Sequence, residues 1–271
     1  MGELIKATNL SKVYGKRPQR AVDLLAGGKT REEIHAATGL TVGVQDVSVS
    51  IDRGELYMLM GLSGSGKSTV LRMLNGLNTP TSGSVILDGH DLSKVSAAEL
   101  REIRNRKVSM VFQHFALLPH KTVRENAAYG LKIRGTSAKE LRDRAEWALE
   151  TVGLKGWGDK LPSELSGGMK QRVGLARGLA TDADVLLMDE PFSALDPLIR
   201  REMQDLLLKL RDEVERTIVF VTHDLDEAMR LGDRITLLGD GLVAQTGTAA
   251  EILTNPADDY VRRFVADVDR T

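Results

Sequence analysis

Val47, Val49 and Ile51 alternate with Ser48, Ser50 and Asp52, the pattern of a strand with one buried face. After a turn at Asp52, Arg53 and Gly54, residues 55–60 run on, apolar from Leu56 to Met60, which predicts a strand buried on both faces. A glycine-rich stretch follows and residues 70–74 have helical character, so this region reads strand, glycine loop, helix. The later half repeats the logic. Ser166 precedes a helix whose Met169, Val173, Ala176 and Ala180 share one face. Residues 184–188 predict another buried strand, and so do residues 217–222. Asp196 and Pro197 form an N-cap and first-turn pair for a helix that turns Leu206, Leu207 and Leu210 inward. Residues 235–238 and 242–245 flank Gly239, Asp240 and Gly241 as a hairpin. Alternating strands and helices imply an α/β fold with a mostly parallel sheet and an antiparallel β portion.

Two stretches depart from this rhythm. In residues 114–165, Thr122 with Glu125 and Ser137 with Glu140 are capping-box patterns. Leu141, Ala145, Ala148, Leu149 and Val152 then line one helical face, which predicts an inserted helical subdomain. Residues 17–42 hold a segment, 31–40, similar to the first helix and turn of a helix-turn-helix. The sequence from Thr41 is β-like where a recognition helix would have to stand, so a small helical insert is expected rather than a DNA reader. Residues 1–271 are otherwise read as a single domain.

Composition narrows the chemistry. Lys and Arg number 37 against 38 Asp and Glu, so the net charge of −1 argues against broad capture of nucleic acid. The chain has no Cys, which excludes disulfides, thiolate metal sites and a cysteine nucleophile. The start lacks a basic region followed by an apolar run, and Lys6 stands where a myristoylation signal wants Ser or Thr. Apolar runs are strand-sized, far below the roughly 18 residues of a spanning helix, so any membrane link is expected to run through a partner.

Gly61, Leu62, Ser63, Gly64, Ser65, Gly66, Lys67 and Ser68 match the phosphate loop G-x-x-x-x-G-K-[ST]. The glycines let backbone N–H groups turn toward phosphate oxygens, and the next helix points its positive end there. Lys67 can reach the β- and γ-phosphates and Ser68 can ligate Mg²⁺. Asp189 and Glu190 end a buried strand; Asp189 suits the metal and Glu190 suits water activation. Gln113 and His223 also stand at strand ends, where a parallel sheet opens its ligand crevice. Leu165, Ser166, Gly167 and Gly168 open a second glycine-bearing helix. A nucleotide held between the phosphate loop of one copy and this helix start of another would close a two-fold dimer.

Together these residues resemble the ATP-binding subunit of an ABC transporter, over essentially the whole chain. The matching elements in order are the phosphate loop, Gln113, residues 165–168, Asp189 and Glu190, residues 193–196 and His223. Met169 and Lys170 depart from the glutamines many members carry there. That departure, the insert after Tyr14 and Gly15, and residues 191–200 look like the glycine betaine/proline betaine (osmoprotectant) uptake branch. Some of its members carry paired regulatory CBS domains beyond the point where this chain stops.

The resemblance implies a P-loop NTPase (RecA-like) fold and an ATPase powering import of a compatible solute such as glycine betaine or proline betaine. An amino-acid or other small-solute importer is the alternative, and a soluble ABC-type ATPase a further one. Tyr14 would stack on adenine, and residues 61–69, ending at Thr69, would hold the phosphates. Ser68, Gln113 and Asp189 would surround Mg²⁺, Glu190 would polarise the lytic water, and His223 would contact the γ-phosphate. Ser166, Gly167 and Gly168 would complete the other copy's site, and residues 114–122 would face membrane subunits. The implied partners are a second copy, transmembrane permease subunits and, indirectly, an extracytoplasmic solute-binding protein, with no nucleic acid. The implied location is peripheral, at the cytoplasmic face of the membrane.

Overall fold

The computed structural model describes residues 2–113, 116–193, 195–214 and 216–266. Along the chain the elements begin β1 (Glu3–Tyr14), α1 (Gln19–Ala26), α2 (Arg31–Thr38), β2 (Thr41–Asp52), β3 (Leu56–Met60), α3 (Lys67–Leu74), β4 (Ser82–Leu87) and β5 (His90–Asp91). There follow α4 (Ala97–Lys107), β6 (Val108–Val111), α5 (Val123–Ala127), α6 (Tyr129–Ile133), α7 (Ala138–Thr151) and α8 (Gly167–Ala180). The chain continues with β7 (Val185–Asp189), α9 (Pro197–Val214), β8 (Thr217–Thr222), α10 (Leu225–Leu231), β9 (Arg234–Gly239), β10 (Leu242–Gly247), α11 (Ala249–Thr254) and α12 (Asp259–Ala266). Two compact units result, residues 1–100 with 221–271, and residues 101–220.

The first unit holds an antiparallel sheet in the order β2-β1-β4-β5 and a second set in the order β10-β9-β3. β9 runs parallel to β3 and antiparallel to β10, confirming the hairpin at Gly239, Asp240 and Gly241. β3 is buried throughout, as its unbroken apolar run predicts. β2 starts at Thr41, and its alternation changes phase near Asp46, where the pairing with β1 shifts register. Asn9 and Asp46 both take positive φ there, and the Asn9 amide donates to Asp46 Oδ1 at 2.6 Å. That irregularity re-aims the strand, which is why alternation alone reads cleanly only from Val47. Residues 17–42 carry α1 and α2 over a small core shared with Val13 of β1: Val13, Ala21, Ile34, Leu40 and Val42. Thr30 and Glu33 form a capping box that starts α2.

The second unit places β8, β7 and β6 side by side, with β6 and β7 parallel. α8 lies close on these strands at Gly178, where an added Cβ would stand 3.0 Å from Leu186 and 3.4 Å from Val111. The capping box at Thr122 and Glu125 is complete and starts α5. Ser137 takes the Glu140 N–H to start α7 but receives no return bond in the box pattern. Asp196 Oδ1 accepts from the Ile199 N–H, so the expected cap of α9 forms. Its buried row is Met203, Leu207 and Leu210; Leu206 is only half-buried, because it stands beside the row rather than on it. Among the described residues, no helix is long and apolar enough to cross a membrane.

Candidate functional site

The phosphate loop joins β3 to α3 in the first unit. Lys67 is the first residue of α3 and only 5% exposed. Its ammonium folds back over the loop and donates to Gly61 O at 2.8 Å and Leu62 O at 3.1 Å. The N-cap is Gly66, left-handed at φ 99°, with no side-chain cap, so no side-chain oxygen of the cap stands at the positive end of α3. A Cβ on Gly66 would strike Val44 Cγ1 at 2.3 Å, and one on Gly61 would strike Leu238 O at 2.2 Å. Only glycine fits at either point. Ser65 is buried and its hydroxyl has no hydrogen-bond partner. An orphaned buried hydroxyl is costly unless a ligand or water takes it up. Ser63 and Gly64 are exposed, Leu62 is 58% exposed, and Ser68 and Thr69 are half-buried at the start of α3.

Two residues remote in sequence support this loop. Tyr260 of α12 donates its hydroxyl to Leu238 O at 3.0 Å, beside Gly61. Burial raises the Tyr260 pKa, so it stays a phenol and a donor. Nothing in the spacing of the motif announces it. Tyr14 ends β1, is 42% exposed, and meets Thr69 Oγ1 through its hydroxyl at 3.2 Å. Asn78 Nδ2 donates to the same hydroxyl at 3.4 Å, and the Lys12 ammonium stands 5.5 Å from the ring centre. The structure thus brings Tyr14 and Thr69 together.

The second unit carries the acidic pair. Asp189 ends β7 with 3% exposure. Glu190 follows at φ 46°, a conformation unfavourable for any L-residue and more so before Pro191. The turn is held by Ser193, whose hydroxyl donates to Glu190 O at 3.1 Å. The strain re-aims the carboxylate, and Gln113 Nε2 donates to Glu190 Oε2 at 3.4 Å. Gln113, just past β6, and Glu190, just past β7, therefore meet at the carboxyl ends of two parallel strands.

Ser166 caps α8 by accepting the Met169 N–H at 3.3 Å. Gly167 is exposed with no heavy atom within 4 Å of an added Cβ, whereas Gly168 rests on Ile199. His223 is exposed immediately after β8. Close to β6 lies a cleft of 310 Å³ lined by Arg104, Phe112, Ala116, Tyr129 and Arg177, among others, which periodicity did not reveal. Arg177 donates to Ala116 O at 2.6 Å. His114 and Phe115, part of the stretch expected to face membrane subunits, lie outside the described residues, as does Ala194.

A Mg²⁺ site of one carboxylate, a hydroxyl, an amide and substrate phosphates needs no protein cage. Among the described residues no group of three or more His, Cys, Asp or Glu is arranged to hold a metal ion. Asp189, Ser68 and Gln113 supply hard oxygen donors of the kind Mg²⁺ takes, so their chemistry fits that ion.

Residues 44–193 match the ABC transporter family. The glycine betaine/proline betaine transport system ATP-binding protein ProV of Escherichia coli (strain K12) is 56% identical over 98% of this chain and 66% of its own length. The glycine betaine transport ATP-binding protein OpuAA of Bacillus subtilis (strain 168) is 55% identical over 98% of this chain and 63% of its own. The chain thus spans about two thirds of the length of these relatives. A dimeric post-hydrolysis ATP-binding cassette bound to ADP and Pi superposes with a TM-score of 0.76 and 34% identity. That match covers 90% of this chain and 98% of the cassette. A P-loop loop-and-helix, an acidic strand end and these likenesses converge: the chain belongs to the ABC transporter family.

Proposed function

We propose that this chain is the ATP-hydrolysing subunit of an importer for a compatible solute, glycine betaine or proline betaine. The observation that carries the ATPase reading is the phosphate loop: Lys67 folded onto Gly61 and Leu62, a start of α3 with no side-chain cap, and the orphaned Ser65 hydroxyl. These groups bind a polyphosphate from its own chain's side. Tyr14 stacks on the base, and Gly61, Leu62, Ser63, Gly64, Ser65, Gly66, Lys67, Ser68 and Thr69 hold the phosphates. Ser68, Gln113 and Asp189 are assigned to Mg²⁺, which when bound neutralises charge on the phosphate oxygens.

Glu190 accepts a proton from the water that attacks the γ-phosphorus, and the bond to the leaving ADP oxygen breaks. Gln113 holds that carboxylate through its amide, so the residue that senses the metal also orients the base. His223 contacts the γ-phosphate. Ser166, Gly167 and Gly168 serve the nucleotide of a second copy, giving a head-to-tail homodimer that closes on ATP and reopens on hydrolysis. The cleft at Phe112, Ala116 and Tyr129, beside Gln113, offers a permease segment a seat next to the nucleotide sensor. An extracytoplasmic solute-binding protein delivers cargo to that permease, and this chain works at the cytoplasmic face of the membrane.

The solute rests on likeness to ProV and OpuAA, since an ATPase subunit does not touch cargo. The test is co-expression with a betaine-importer permease and its solute-binding protein, followed by uptake of labelled glycine betaine, proline betaine and amino acids into vesicles. ATP-dependent betaine uptake is the expected result. ATP hydrolysis that drives only amino-acid uptake overturns the solute assignment, and absence of hydrolysis overturns the whole reading.

A further inference from the structure

Resting on the nucleotide reading above, we infer that Arg31 of the 17–42 insert is a positioning residue that fixes the adenine-stacking ring and the phosphate loop at one spacing. Both rest on Gly43 of β2, which Val42 and Val44 flank. The Tyr14 ring lies on Gly43, where an added Cβ would stand 2.8 Å from Cε2. From the phosphate loop, a Cβ on Gly66 would stand 2.9 Å from Gly43 O and 2.3 Å from Val44 Cγ1. A shift of this short floor therefore moves the base platform and the phosphate cradle against each other.

The floor is held from one side by β1, through the pairs Val13 with Val42 and Lys12 with Val44. On the other side β2 is the edge of its sheet, with carbonyls that a neighbouring strand would otherwise take. Arg31, the first residue of α2, occupies that edge. Its Nε donates to Val42 O at 3.1 Å and its Nη2 donates to the same oxygen. Its Nη1 reaches the turn of the β9–β10 hairpin, where a Cβ on Gly241 would stand 3.0 Å from Nη1 and 2.9 Å from Gly43 O. Gly241 O in turn accepts the Gln45 N–H at 2.8 Å.

A guanidinium fork placed on a strand carbonyl is directional and resists sliding in a way that apolar packing does not. The helix that carries it is anchored: Ile34 is fully buried, and Leu40 closes on Gly15 so tightly that a Cβ there would stand 2.5 Å from Leu40 Cδ2. The insert, which the phosphate-loop chemistry leaves without a role, thus acts on the reaction by setting a distance within its own unit.

The test is a double-mutant cycle on the full chain. ATP affinity is measured by calorimetry for the parent, Arg31→Met, Tyr14→Ala and the double variant, with steady-state hydrolysis alongside. Arg31→Met is expected to weaken ATP about fivefold and raise KM alike with kcat unchanged, and to add less than about twofold once Tyr14 is Ala. Equal losses in both backgrounds mean general loosening and overturn the inference; so does unchanged affinity. Should Arg31→Met not fold, Arg31→Lys, which loses the fork but keeps a donor, carries the same cycle. A loss confined to the Tyr14 background supports the inference, and a loss equal in both backgrounds, or none, overturns it. A parent that binds no ATP overturns the nucleotide reading itself, whereas a parent that binds ATP as tightly as Arg31→Met overturns only the role of Arg31.

Discussion

At the start of α3 the N-cap is Gly66, left-handed and without a side chain to quiet the amides that follow; at the start of α8 it is Ser166, whose hydroxyl already takes the Met169 N–H. The first start is crowded by its own chain, with Val44 and Gly43 pressed on Gly66 and the Lys67 ammonium folded over the loop. The second is open, with nothing within 4 Å of a Cβ on Gly167. Both are glycine-bearing helix starts with a positive end. On the reading proposed here, the crowded start without a side-chain cap is the one whose ligand its own chain grips. The open, self-capped one is stable alone and leaves an exposed face to be approached from outside.

Four substitutions break or sharpen this contrast. The largest effect is expected at neither start. Glu190→Gln should cut turnover by roughly 10²–10⁴-fold, the usual worth of a general base, while ATP affinity holds. The variant should run as an ATP-stabilised dimer on gel filtration, and normal turnover would remove Glu190 from the chemistry. Next, Lys67→Ala withdraws a charged donor from the gripping start and should weaken ATP roughly 100-fold by calorimetry.

Gly167→Asp reverses the logic at the open start. A carboxylate in the first turn suits the helix dipole and meets no clash, so the melting temperature should not fall. A triphosphate brought by a second copy would meet like charge, and turnover should drop by roughly tenfold or more. Wild-type turnover there would deny the trans role of α8. The smallest effect is Ser166→Ala, which loses one cap bond and about 1 kcal/mol of stability, read as a melting shift of about 2–4 °C. A shift near zero would mean that the hydroxyl does not cap α8 in solution.

Much of this was legible in the sequence because it is local. A buried strand, a glycine loop and a lysine at a helix start follow from neighbouring residues, as do the caps at Thr122 and Asp196. What escaped is what neighbours do not encode. The phase change of β2 depends on Asn9 meeting Asp46, and the propping of Gly61 depends on Tyr260, some 200 residues away. Met203 replaces Leu206 in the buried row of α9 because packing, not composition, selects the face. The pairing of Gln113 with Glu190 follows from β6 and β7 lying side by side, which periodicity cannot assign.

Residue order by itself determined which groups are present and in what local conformation: glycines where a Cβ would collide, a cation one residue past the loop, two carboxylates at a strand end. Tertiary structure alone decided what those groups face. It set Gly43 under Tyr14 and against Gly66, brought Arg31 to the edge of β2, and left the Ser65 hydroxyl without a partner. The reason is physical. Backbone conformation is fixed by interactions a few residues long, whereas burial and the pairing of polar atoms are set by which distant surfaces the chain packs together.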